Sequence, residues 1–296
     1  MSVFKAENVR DGSPVAIKVS RAGKKYSHFA SSEIRVLKTI QANGGNDKKR
    51  FVNLLDNFEC LGHQFLVFEL LSVSLYGFLV DNCYAPFPNS QIQSVTRQIL
   101  AGLACKFELP EALGYHTDMD IVLKDLKIIH ADLKPDNIVL CNKQYQTFIY
   151  DRTVVSTLFK KHFKSVRRVL LNPEIRLIDF GLASFDDEPN MICDTALAYS
   201  APEVRLRRGS SFPRDMWSLG CLILHLRTGE FAFPYKYTST SIPRYIALVE
   251  AVTGSKIDDA WLNEIGQNIK FDSTPLELSR KKLKTQKIND LDVSAR

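Results

Sequence analysis

Paired cysteines are missing from the chain. Cys60, Cys83, Cys105, Cys141, Cys193 and Cys221 are scattered without any Cys-x-x-Cys spacing, which points to reduced, packed thiols and away from a disulfide framework or a zinc site. No metal site built from protein ligands alone is expected. Long apolar runs are missing too: no stretch approaches the roughly 18 apolar residues that span a bilayer, and Met1-Ser2-Val3-Phe4-Lys5 lacks an apolar signal core. A nuclear or cytoplasmic protein without a membrane partner is the expectation. Nor is charge of one sign in great excess. A formal net charge of +6 over 296 residues reads as solvated faces rather than a nucleic-acid surface, so nucleic acid is not an expected partner. Apolar residues, by contrast, make up 45% of the chain, enough to bury a large core in two lobes around a cleft.

One stretch organises the rest. In Ile128-Ile129-His130-Ala131-Asp132-Leu133-Lys134-Pro135-Asp136-Asn137-Ile138-Val139-Leu140 an apolar run enters a polar turn and a second apolar run leaves it, the pattern of a loop between short buried elements. Asp132, Lys134 and Asn137 stand at the offsets of a protein-kinase catalytic loop. Val15-Ala16-Ile17-Lys18 lies upstream, and Asp179-Phe180-Gly181 and Ala201-Pro202-Glu203 lie downstream, each matching a further kinase signature in the required order. Over roughly residues 3–255 the chain therefore resembles a eukaryotic protein kinase.

That resemblance implies an α+β, two-lobed fold with a small β-rich lobe and a larger, mainly helical one. It implies ATP and magnesium as cofactors, protein substrates and a monomer. It also implies roles by position. Asp132 would take the substrate hydroxyl proton, Lys134 would steady the moving phosphoryl group, and Asn137 and Asp179 would hold magnesium. Lys18 would meet the nucleotide phosphates and pair with Glu33. The backbone of Glu69 to Leu71 would meet adenine, between Ala16 and Val139. The Asp-Leu-Lys-Pro sequence favours serine or threonine acceptors.

Local patterns fill in the expected organisation. Residues 3–7 and 15–19 read as strands joined by the turn Asp11-Gly12-Ser13-Pro14. Ile34, Leu37 and Ile40 recur at helical spacing over 29–40, with Ser31 and Ser32 as candidate caps. Strand-like runs follow over 51–58 and 64–69, then a helix over about 90–107. The family begins its small lobe with a strand and a Gly-x-Gly-x-x-Gly loop, and this sequence opens where that loop would be ending. The last two helices of the large lobe are not recognisable either, so truncation at both ends is expected. The division implied is 1–71 for the small lobe and hinge, 72–258 for the large lobe with insertions at about 108–124 and 142–173, and 259–296 for a polar tail.

Residues 68–88, together with Ala131 where many kinases carry arginine, resemble the LAMMER (Clk-type) dual-specificity kinases and their SR-protein-kinase relatives. This implies Arg/Ser-rich splicing factors as substrates and an inserted hairpin at 142–173. Ile121-Val122-Leu123-Lys124-Asp125-Leu126-Lys127 imitates the catalytic loop, but position 130 is His where an Asn would be needed, so Asp125 is read as a decoy. Asp186-Asp187-Glu188 is read as a solvated acidic triplet. Thr195 and Ser200 depart from the family around substrate positioning, and Asp215 resembles the buried carboxylate of a large-lobe helix. The alternative reading is a kinase-like binding module without turnover, or a truncated gene product.

Overall fold

The computed structural model describes residues 2–43, 49–103, 123–155, 160–188, 196–209, 211–233 and 242–258. Strands β1 (Ser2–Glu7), β2 (Pro14–Val19), β3 (Leu54–Cys60) and β4 (His63–Glu69) form an antiparallel sheet in the order β1-β2-β4-β3. The first turn is closed by Asp11, whose carboxylate accepts from both the N–H and the hydroxyl of Ser13, and by Gly12 at φ +70°. Leu61 and Gly62, both at positive φ, turn β3 into β4. The expected strand pairs are present.

Helix α1 (Lys24–Asn43) starts earlier than its periodicity indicates. Gly23, at φ +121°, accepts from the N–H groups of Tyr26 and Ser27 and so begins the first turn. Ser31 and Ser32 therefore lie inside the helix, and the capping role expected of them is wrong. The inward stripe of α1 is Ala30, Glu33, Val36, Leu37 and Ile40, all buried, a carboxylate set among apolar neighbours at helical spacing.

Helices α2 (Leu75–Asp81) and α3 (Asn89–Leu103) follow, the former capped by the Ser74 side chain, which accepts from the Gly77 N–H. The part of the expected 90–107 helix beyond Leu103 lies outside the described residues, as does nearly all of the proposed insertion at 108–124. The base of that insertion is described: the Leu123 N–H donates to the Gly102 carbonyl at 3.2 Å, so residues on either side of it are hydrogen-bonded neighbours.

Short paired strands carry the chain through the motif region. β5 (Ile128–Ile129) pairs with β10 (Ser184–Phe185), and β6 (Ile138–Leu140) pairs with β9 (Ile175–Leu177). Between them β7 (Tyr145–Val155) and β8 (Lys160–Leu170) make an antiparallel hairpin of two 11-residue strands, as the resemblance implies. Side-chain amides fasten it. Asn82 donates to the Arg168 carbonyl and accepts from the Arg168 N–H, satisfying the strand edge as another strand would. Gln91 and Gln98, two turns apart on α3, reach the carbonyls of Leu170 and Pro173, and Gln98 also accepts from the Ile175 N–H.

The chain divides into two compact units, residues 1–190 with 226–229, and residues 191–225 with 230–296; the 71/72 boundary expected from the sequence falls inside the first. Three helices are described in the second unit or at its edge: α4 (Pro202–Arg205), α5 (Pro213–Thr228) and α6 (Ile242–Thr253). Tyr245 is fully buried there, donating its hydroxyl to the Ser200 carbonyl beneath the Arg205 guanidinium, which lies 4.3 Å from its ring centroid. Trp217 stacks on Phe233, and Asp215 is buried. Thr195 lies outside the described residues.

Candidate active site

The register of β6 against β9 sets two of the site residues side by side. Because Ile138 pairs with Leu177, the next N–H along, that of Ile178, donates to the Asn137 carbonyl at 3.0 Å, which brings the end of the catalytic-loop stretch to the threshold of Asp179. Within the loop, Asp132 is buried and its Oδ2 accepts from Lys134 Nζ at 2.6 Å and from Asn137 Nδ2 at 2.9 Å. Asn137 Nδ2 also donates to the Asp132 carbonyl at 2.8 Å. Both amide hydrogens of Asn137 are thus committed to Asp132, and its amide oxygen remains as an acceptor.

His130, fully buried, fixes the turn. Its Nε2 lies 3.1 Å from the Ile178 carbonyl and must donate there, so Nδ1 is the acceptor of the Asp132 N–H at 3.3 Å. The ring packs on Phe180 at 4.8 Å, and Phe180 in turn meets Phe51 at 5.9 Å. Ala131 and Asp179 both adopt left-handed backbone, at φ +67° and +64°. Such residues cost about 1–3 kcal/mol each and cluster where function dictates shape.

A second group of charges gathers around Lys18. Its ammonium lies 2.7 and 2.8 Å from the two oxygens of Glu33 and 2.6 Å from Asp179 Oδ1, which accounts for all three ammonium protons. The expected Lys18–Glu33 pair is present, whereas the direct bond to Asp179 has no local signal in the sequence. Burial alone would push the ammonium down, yet the Glu33 and Asp179 charges outweigh it and hold Lys18 above its ordinary value. Burial pushes Glu33 up despite the opposing pull of Lys18. Asp179, which burial would also raise, is held below the carboxylate range by Lys18, with help from Lys134. Gly181 lies against this arrangement, where a Cβ would make only ordinary contact with Asp179 Oδ1, at 3.4 Å, and Glu33 Oε2, at 3.6 Å.

The proposed adenine contacts lie along one continuous path. Val15 pairs with Glu69 and Ala16 with Phe68. Three residues after Glu69, the Ser72 N–H donates to the Leu140 carbonyl and the Leu140 N–H to the Val73 carbonyl, so the segment through Leu71 runs onto β6, where Val139 is buried. The Glu69 side chain is occupied locally, accepting from the Asn53 N–H. Asp125, in contrast, is exposed in a turn outside this arrangement.

Sequence reasoning also missed a second ion pair. Glu188 is not merely solvated: Arg35 of α1 makes two parallel bonds to its carboxylate at 2.7 and 2.8 Å. An arginine on the outward face of α1 and a carboxylate 153 positions later share no local pattern.

A strand-rich sheet with its buried Lys18–Glu33 pair, followed by a buried Asp-x-Lys-x-x-Asn loop beside Asp179, is the architecture of a protein kinase domain. The chain belongs to that family, the protein kinase domain, which matches residues 1–284 and so extends past the last motif legible in the sequence. It is similar to the dual specificity protein kinase KNS1 of Saccharomyces cerevisiae, at 35% identity over 77% of this chain and 29% of that protein. It is also similar to the human dual specificity protein kinase CLK1, at 32% identity over 82% of this chain and 44% of that protein. Likeness extends to lkh1 of Schizosaccharomyces pombe, another dual specificity protein kinase, at 32% identity over 82% and 31%. The chain thus spans less than half the length of these relatives. Among solved structures, the crystal structure of a kinase domain aligns with a TM-score of 0.69 at 29% identity, covering 90% of this chain and 70% of that one.

Proposed function

We propose that this chain is an ATP-dependent protein kinase that transfers the γ-phosphoryl group to serine or threonine of protein substrates, with tyrosine as a further acceptor, as the names of its relatives suggest. The observation that carries this reading is the convergence of Asp132, Lys134 and Asn137 on one side and Lys18, Glu33 and Asp179 on the other. Asp132, whose carboxylate is fixed by two donors, orients the acceptor hydroxyl and receives its proton. Lys134 supplies positive charge where the transferring group becomes most negative. Lys18 holds the nucleotide phosphates. Since its third proton lies on Asp179 in this structure, that bond must be exchanged for a phosphate oxygen, which releases the Asp179 carboxylate.

Asp179 and Asn137 fit a hard cation, offering one carboxylate, 40% exposed, and one amide oxygen not needed to hold the loop. Asp179 and Asn137 would hold a magnesium ion, whose positive charge would offset that of the nucleotide phosphates. Arg/Ser-rich splicing factors are the proposed substrate class, and a monomer in the nucleus or cytoplasm is the proposed setting.

The test is transfer of labelled γ-phosphate to an Arg/Ser-rich peptide and to a version with every serine replaced by alanine. Wild type and Asp125→Asn should transfer to the first peptide at equal rates. Asp132→Asn should lose about 10²–10⁴ in rate, the usual contribution of a positioned base. Absence of transfer by the wild-type chain would overturn the proposal, and loss of activity in Asp125→Asn would move the catalytic loop to the earlier sequence.

A further inference from the structure

Helix α1 carries two charges, two positions apart, that serve different neighbours. Glu33 lies on the buried stripe and takes the Lys18 ammonium. Arg35 lies on the exposed side, where its guanidinium makes the two-bond fork to Glu188 and covers the Phe185 ring, 4.6 Å from the centroid. Glu188's hydrogen bond to Arg35 holds that carboxyl below its usual range, and Arg35 rises correspondingly, with the Asp187 charge adding to the effect.

The segment that grips Arg35 is itself tied to the catalytic loop. Phe185 pairs with Ile128 across β10 and β5, and the Asp186 N–H donates to the Lys127 carbonyl at 2.8 Å; β5 then leads directly into His130 and Asp132. The same segment leaves Asp179, which bonds to Lys18. A closed circuit results, running from Lys18 through Glu33 and α1 to Arg35, across to Glu188 and Phe185, and back along both arms to Asp132 and Asp179.

We propose that the Arg35–Glu188–Phe185 clasp positions α1 so that Glu33 engages Lys18, making Arg35 and Glu188 positioning residues for the site. A carboxylate encoded in the sequence here does the work of an activation-segment phosphate. Kinases that order this segment by phosphorylation gather the phosphate on arginine, and Ala131 offers no such charge next to Asp132. The side chains are 51% and 38% exposed, and an ordinary exposed pair contributes little. Two features set this one apart: the bidentate geometry and the aromatic face beneath the guanidinium. The effect of the clasp on phosphate transfer rests on the kinase reading. Its effect on the Lys18–Glu33 pair does not.

The experiment reverses the charges singly and together, as Arg35→Glu, Glu188→Arg and both, with Arg35→Gln as a milder variant should a reversal fail to fold. Acetylation of Lys18 by acetic anhydride, read by mass spectrometry on the full chain, reports whether the ammonium is still held. Phosphate transfer and the thermal midpoint are read on the same samples. Each single change should raise Lys18 acetylation and lower transfer by about three- to ten-fold, the scale of a forked pair with a stacked ring, without moving the midpoint. The double reversal should restore both. Unchanged acetylation in the single variants, or no recovery in the double, overturns the proposal. A wild-type chain that transfers no phosphate overturns the proposed function and leaves the acetylation comparison intact.

Discussion

Asp132, Lys134 and Asn137 come from one short loop and hold one another within five positions of sequence, whereas Lys18 meets partners 15 and 161 positions away. The two lysines also differ in burial. The loop lysine has a side chain 23% exposed, while Glu33 is 1% exposed and Lys18 11%. A charge at the rim of water can lose its partner and be solvated, but a charge in the interior cannot. Lys134 should therefore be where substitution costs activity, and Lys18 where substitution costs the fold as well.

The largest effect expected on stability follows from removing the cation of the buried cluster. Lys18→Met leaves Glu33 and Asp179 facing each other without it, and breaking a buried pair in this way costs about 3–5 kcal/mol. Adding Glu33→Gln should return a good part of that loss, because the two changes are coupled. Lys134→Ala, by contrast, should cost less than about 1 kcal/mol. Chemical denaturation of the four proteins checks this, and equal losses for Lys18→Met and Lys134→Ala would erase the distinction between the two regions.

A buried group kept neutral sharpens the comparison. Burial pushes His225 down from 6.5 to about 4, with Nδ1 at 2.6 Å from the Tyr199 hydroxyl. The unfolded chain binds this proton at higher pH than the folded one, so stability is complete above about pH 6.5 and falls as pH drops toward 4. Between pH 7 and 4.5 the loss should be about 2–3 kcal/mol. Unfolding of His225→Phe should lack this part of the acid dependence, and an unchanged slope would contradict the assignment.

The smallest effect concerns regulation. With Ala131 beside Asp132 and a carboxylate already in the Arg35 clasp, phosphatase-treated protein should keep more than about half its transfer rate. A large drop would mean that a phosphate, and not Glu188, sets the activation segment.

The two regions also differ in how far they could be read in advance. The hydrogen-bonded cluster of Asp132, Lys134 and Asn137 was legible because their spacing alone carries the geometry, and the same spacing is what makes Asp125 read as a decoy. The strands around Lys18 were legible from alternation and the turn at Gly12, and the pairing with Glu33 from the family resemblance. The start of α1 was not, since Gly23 and not a serine opens it. The bonds from Asp179 to Lys18 and from Glu188 to Arg35 depend on how distant segments pack, which no local pattern records. The fastening of the hairpin by Asn82, Gln91 and Gln98 was hidden for the same reason, because amide side chains that complete a strand edge look like ordinary surface residues.

The central claim is that the site divides its labour, with Asp132 acting on the acceptor and Asp179 on the metal-bound nucleotide. Calorimetric titration of ATP, with magnesium and with a chelator, into wild type, Asp132→Asn and Asp179→Asn tests it most directly. Asp132→Asn should bind magnesium-ATP as tightly as wild type, and Asp179→Asn should lose the advantage that magnesium confers. If Asp132→Asn loses that advantage as fully as Asp179→Asn, the division is wrong.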